Sequence, residues 1–389
     1  MPVSTITLLL IGVLASPVKA GEEHSRNMEA ILAKSLHAIG NNRLDVALNE
    51  VDSLLKVNPN FKLAQLVRGD LLLARSQALN DFGNAPNVPR ERMDDLRDEA
   101  RARLQRAEQQ QPLTSTPKYL LQLDAQQPYA IVVDTSKSTL YLYRNVNGEP
   151  RYVADFYISV GKKGADKVSE GDQKTPLGVY FINAKLPKES LSDFYGPVAF
   201  PLSYPNEWDK RLGRDGHGIW LHGTPSDTYS RPPRASSGCV VLANDDLLQI
   251  GKHVHIGHTP VIITEQMDWS DANDHTERDS LLRAVETWRK DWASRDTEAY
   301  LSHYAQDFSN GDAKFAAFAQ QKRLVNSGKT WIKVGLSNIS IFTYPNQPGL
   351  VVVNFEQDYS SNNLANRMNK RQYWMKHGDK WQIVYEGSA

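Results

Sequence analysis

Residues 129–150 read YAIVVDTSKSTLYLYRNVNGEP, and the chain changes character there. Side chains alternate along this stretch with the period of two expected of a strand. Asn147-Gly148 within NGEP is strong hairpin-turn chemistry, joining Tyr141 and Tyr143 to the following run RYVADFYISVGK. Short strand-like runs and turns continue to about Thr264, which predicts a mostly-β domain over residues 127–265.

Upstream the period is helical. Leu44, Ala47, Leu48, Val51, Leu54 and Leu55 recur every three or four positions and form one apolar stripe. NPNF (58–61) breaks that helix, and KLAQLVRGDLLLARSQAL begins another. The helix pair resembles a tetratricopeptide repeat, so residues 21–122 are expected to be an α-helical, TPR-like domain. RERMDDLRDEARARLQRAEQQ is charged on most faces and reads as a solvated helix.

Downstream, QMDWSDANDHTERD is a polar linker with helix-start residues. Leu281, Leu282, Val285, Trp288 and Trp292 then form an amphipathic stripe, and Trp288, Trp292 and Tyr300 read as core. Four strand-like runs follow, which predicts an α+β domain over residues 270–389. The helix-then-sheet arrangement resembles the NTF2-like cone fold. The chain is thus expected to be multi-domain.

The first residues carry an apolar run, 6–14, interrupted by Thr7 and Gly12 and too short to span a bilayer. Val18 and Ala20 are small residues at the positions that favour cleavage before Gly21. Residues 1–20 therefore read as a signal peptide, with an uncleaved anchor or a buried strand as the alternatives, and the mature protein is expected outside the cytoplasm with no stable membrane span after cleavage. Acidic and basic residues balance at 45 each, so no overall field points to nucleic acid or an anionic membrane. The helical and NTF2-like parts are candidate surfaces for protein partners.

Cys239 is the only cysteine, so no intramolecular disulfide can form. A lone cysteine in an exported chain invites reading as a reactive thiol. A cysteine nucleophile needs a thiolate, a base and donors for the oxyanion. His222 is the candidate base, the backbone around Gly238 and Cys239 the candidate oxyanion loop, and the Gly223 carbonyl the candidate partner that holds the imidazole tautomer. Arg234 is a candidate carboxylate ligand. Of His253, His255 and His258, alternation puts the first two on one face of an edge strand, but no companion set has ligand spacing, so no metal and no cofactor is expected.

EGDQKTPLGVYFI (170–182), WLHG (220–223) and SSGCVVL (236–242) resemble, in order and spacing, the L,D-transpeptidase (YkuD-type) catalytic domain. The resemblance implies that Cys239 attacks the carbonyl preceding a D-amino acid in a peptidoglycan stem peptide. A thioester forms, D-alanine leaves, and an amine (cross-linking) or water (trimming) resolves it. It implies His222 as general base, Gly223 as orienting carbonyl and Gly238 in the oxyanion loop. Ser237, Lys174 and Thr175 are further substrate-binding candidates, although the GDQKTPLG loop also reads as ordinary turn chemistry. Two positions depart from the family pattern: Ser237 stands where His is usual, and Val241 where Arg is usual. With an NTF2-like domain behind the catalytic one, these variants resemble L,D-carboxypeptidases that trim tetrapeptide stems and control cell shape. A non-catalytic murein-binding scaffold is the alternative that the two departures motivate.

Overall fold

The computed structural model describes residues 17–78, 82–83, 89–108 and 115–389. The expected signal peptide lies outside the described residues except for its last four positions. Among the described residues no helix is long and apolar enough to cross a membrane.

The N-terminal part is helical: α1 (Pro17–Gly40), α2 (Leu44–Val57), α3 (Lys62–Leu73) and α4 (Arg90–Glu108). The stripe of α2 is buried at Ala47, Leu48, Val51 and Leu54, against Met28 and Leu32 of α1 and Leu63 and Val67 of α3. The helices are as expected, but they do not by themselves establish a tetratricopeptide repeat.

The expectation for α4 needs correcting. Glu99 and Arg103 are only 1% and 3% exposed, so the helix has a buried, charged face. Arg103 pairs with Glu29 of α1 and Glu99 of its own helix, and its guanidinium lies 3.8 Å over the Tyr157 ring and 5.0 Å over Phe61. One turn on, Arg106 reaches Asp155 at 2.7 Å. These contacts offset the desolvation of the charges and pin the helices to the domain that follows. A pattern of charges along one helix shows none of this. Arg103→Ala leaves buried Glu99 without its arginine and Glu29 with Arg106 alone, and is expected to destabilise the protein by about 3–5 kcal/mol, read as a lower denaturant midpoint.

Two short strands follow, β1 (Ser115–Pro117) and β2 (Leu120–Gln122), within the stretch read as helical. The mostly-β part then runs β3 (Tyr129–Asp134), β4 (Thr139–Val146), β5 (Glu149–Gly161), β6 (Gly178–Phe181), β7 (Leu186–Pro187), β8 (Val198–Pro201), α5 (Glu207–Arg211), β9 (Trp220–His222), β10 (Arg234–Ser236), β11 (Val240–Leu242), α6 (Asn244–Gly251) and β12 (Pro260–Thr264). The β4–β5 turn has Asn147 and Gly148 both at positive φ, 56° and 90°, as a two-residue hairpin requires. Strand order is β6-β12-β3-β4-β5-β11-β9-β8-β7, with β10 alongside β5. The histidines expected on an edge strand sit instead at a turn, where the His255 N–H donates to Thr259 Oγ1 at 2.8 Å.

The remaining elements are β13 (Trp269–Asp271), α7 (Thr276–Ser294), α8 (Thr297–Leu301), β14 (Tyr304–Ser309), α9 (Phe315–Ser327), β15 (Ile332–Thr343), β16 (Leu350–Ser361), β17 (Leu364–His377) and β18 (Lys380–Ser388). The sheet order is β14-β18-β17-β16-β15-β2, so a strand from before the middle domain completes the C-terminal sheet; β1 likewise pairs with β13. Leu281, Val285, Trp288 and Trp292 of α7 are buried against this sheet, and Tyr300 is buried beside them.

Both faces of the strands in the opening stretch are buried. Ile131, Val133, Leu140 and Leu142 face the core of the middle domain. Ala130, Val132, Tyr141 and Tyr143 face a second core that includes Phe342, Val352 and Tyr373 of the C-terminal sheet. Trp208 stacks on Tyr373 at 5.6 Å and 17° across that boundary. The two β-rich domains therefore keep their own cores and share a third apolar cluster between them.

Candidate active site

β9 and β11 are parallel neighbours, with Val240 opposite Leu221 and Val241 opposite His222. Extending that register by one residue sets Cys239 opposite Trp220, two positions from His222. A separation of two puts both side chains on one face.

The loop behind Cys239 is held by hydroxyls. Thr175 is fully buried; its Oγ1 accepts from the Gly161 N–H at 2.9 Å and donates to the Gly238 carbonyl at 3.0 Å. Ser236 Oγ accepts from the Gly238 N–H at 3.1 Å and donates to the Cys239 carbonyl at 2.6 Å. Gly238 has φ +128°, and a Cβ there would lie 2.7 Å from the Lys174 carbonyl, so only glycine fits. The Gly-Asp pair upstream fixes the other side. Burial pushes the Asp172 carboxyl up, but bonds from the Lys167 ammonium and the N–H groups of Val168, Lys174 and Ser169 outweigh it and hold it at about 2.

The Cys239 thiol is half-buried and donates to the Gly218 carbonyl at 3.3 Å. Burial raises its pKa, against a bond from the Trp220 backbone and the charges of Arg231 and Lys167. His222 is 1% exposed and packs against the rings of Tyr195 and Phe194 at 5.1 and 6.0 Å. Its Nδ1 lies 2.7 Å from the Gly223 carbonyl. A carbonyl only accepts, so Nδ1 carries the proton and the neutral ring keeps its lone pair at Nε2. Burial lowers the imidazole pKa to about 4; the Gly223 carbonyl opposes this and Arg231 adds to it. A Cβ on Gly223 would fall 2.1 Å from Asn244 Oδ1, so a larger residue here would push the Asn244 amide off its bond from the Thr224 N–H.

The other candidates are distributed unevenly. Thr175 is enclosed and braces the loop, and Lys174 contributes its backbone to the wall behind Gly238. Ser237 is exposed beside Cys239. Val241 is buried in β11. Arg234 is exposed on β10 and paired through its backbone with Val160.

The arginine whose charge reaches both Cys239 and His222 is Arg231, which the sequence reading missed. Its guanidinium lies 4.3 Å over the Phe194 ring and donates to the Phe194 carbonyl at 3.2 Å. The available signal was the run Arg231-Pro232-Pro233-Arg234, in which stiff prolines separate two arginines. Choosing between them requires the strand pairing that turns Arg234 outward. Among the described residues no group of three or more His, Cys, Asp or Glu is arranged to hold a metal ion.

Residues 128–263 match the family model of the L,D-transpeptidase catalytic domain, YkuD, and residues 280–387 match that of the Cds6 C-terminal NTF2-like domain. Among solved structures, Bd1075 of Bdellovibrio bacteriovorus is 29% identical with a TM-score of 0.62, covering 71% of this chain and 98% of its own. The helical cell shape determining protein Pgp2 from Campylobacter jejuni is 29% identical with a TM-score of 0.60, covering 69% of this chain and 95% of its own. No curated protein matches the chain. The chain therefore carries an L,D-transpeptidase (YkuD) catalytic domain, that of a peptidoglycan enzyme, joined to an NTF2-like domain of the Cds6 type.

Proposed function

We propose that the protein is a periplasmic L,D-carboxypeptidase that trims stem tetrapeptides to tripeptides and so acts on cell shape. The observation that carries the chemistry is the Nδ1 bond of His222 to Gly223, on the same face as Cys239. His222 Nε2 takes the thiol proton as Sγ attacks the carbonyl between the diamino acid and D-alanine. The Gly238 N–H is engaged by Ser236, so the Cys239 N–H serves as the oxyanion donor. The imidazolium returns its proton to the departing D-alanine amine, leaving a thioester. Water, deprotonated by the same Nε2, adds to the thioester carbon and releases the tripeptide and the thiol. Water is favoured as acceptor because Val241 is buried and Ser237 is short, leaving neither family position with a side chain to hold a second stem. Cross-linking through an amine acceptor is the second reading, favoured by the breadth of the family.

The test is incubation with disaccharide-tetrapeptide, with and without an amine acceptor, and mass spectrometry of the products. Loss of one D-alanine supports trimming, and a dimer joined between two diamino acids supports cross-linking. Neither product, with Cys239→Ala indistinguishable from wild type, leaves only the murein-binding scaffold.

The acid limb of kcat/KM is expected near pH 4. The base must be neutral, and burial lowers its pKa to about 4, so activity is lost only as pH falls through that value. A limb at the ordinary histidine value of about 6.5 would refute the enclosed, neutral base.

A further inference from the structure

A cavity of about 1070 Å³ lies between the N-terminal helices and the middle domain. One wall is α3 and α4, including Leu66, Gly69 and Asp95; the facing wall includes Phe194, Arg231 and Ser237. Neither Cys239 nor His222 lines it. It borders both: Ser237 is two residues from the thiol, and the Phe194 ring is 6.0 Å from the imidazole. Its volume is at the upper end of that typical of small-ligand sites.

The walls are fixed relative to one another. Ser230 on the middle-domain side donates to Glu99 of α4 at 2.7 Å. Arg103 lies over Tyr157, and the Tyr157 hydroxyl donates to the Arg231 carbonyl at 3.0 Å. The helix that forms the far wall is thus tied to the loop that carries Arg231. The lining holds both signs of charge: Arg231 on one side and Asp95 on the other, with Lys162 across from Asp95 and acting on it electrostatically. Apolar surface from Leu66 and Phe194 lies between them. This suits a peptide that carries carboxylates and a free ammonium along an otherwise neutral backbone.

We infer that this cavity holds the peptidoglycan stem peptide next to its reacting bond, so that α3 and α4 form half of the substrate site. The inference rests on the proposed peptidoglycan activity, and it assigns the N-terminal helices a part in recognition where the sequence suggested a surface for protein partners. Arg231 is placed to receive a stem carboxylate and Asp95 an ammonium.

Gly69 provides the test. A Cβ built on it meets no atom within 4 Å, and the residue lies within α3, where any non-proline side chain raises helix propensity. Gly69→Trp should therefore fold normally while its indole occupies the cavity. Calorimetric titration of disaccharide-tetrapeptide into the Cys239→Ala protein is expected to show Kd raised about tenfold by Gly69→Trp. In the chain with Cys239 intact, kcat/KM should fall by a similar factor, while alkylation of Cys239 by iodoacetamide keeps its rate. A Kd unchanged by Gly69→Trp overturns the subsite, even where Cys239-dependent D-alanine release upholds the activity. Binding that weakens with Gly69→Trp, in a protein that releases no product, upholds the subsite and overturns the activity. A wild-type wall that binds no tetrapeptide overturns the subsite directly.

Discussion

Cys239→Ser is expected to lower kcat for D-alanine release by a factor on the order of 10⁴ while leaving the fold intact. The substitution keeps a side chain of similar size in a half-buried position where the thiol bonds weakly to the Gly218 carbonyl and the Trp220 backbone. The loop does not depend on that atom, because Ser236 and Thr175 hold its backbone. Chemistry is what changes. Burial already raises the thiol pKa, and a hydroxyl in the same place is harder still to ionise. A base with its own pKa lowered to about 4 has little power to take that proton. The measurements are product release and the mass of the intact protein trapped during turnover. A thioester-sized adduct should form on the wild type and be missing from the variant. Activity within tenfold of wild type would remove Cys239 from the role of nucleophile.

His222→Asn is expected to reduce kcat by about 10²–10⁴ with a smaller change in KM. The asparagine amide can still donate to the Gly223 carbonyl, so the strand end keeps its bond while the lone pair at Nε2 is lost. The acid limb near pH 4 should disappear from the residual activity. Alkylation of Cys239 should also slow, because the thiol loses its base. An unchanged acid limb would assign the titration to another group and place His222 in a structural role.

The middle domain was readable because its signals are local. Asn147-Gly148 encodes its turn, the flanking residues alternate, and the His-Gly and Ser-Gly-Cys segments carry their chemistry within a few positions. Gly223 and Gly238 were named as catalytic parts, and each is also a place where a Cβ would collide with a neighbour. Thr175 was singled out as a substrate contact; it lies buried, bracing Gly161 and Gly238 instead.

By itself the sequence determined the helical start, the mostly-β middle and the helix-then-sheet end, and it singled out Cys239 and His222 as candidates. Each is written in a short period, a turn or a motif, and short-range sterics enforce it. Only the tertiary structure decided that Arg231 rather than Arg234 bears on Cys239 and His222, that β2 completes the C-terminal sheet, and that the charged α4 is half-buried as a wall beside the candidate site. Those outcomes depend on contacts such as Ser230 with Glu99, 131 positions apart. At that separation the burial of a charge is set by which opposite charges and rings the fold brings to it, and no local pattern records that.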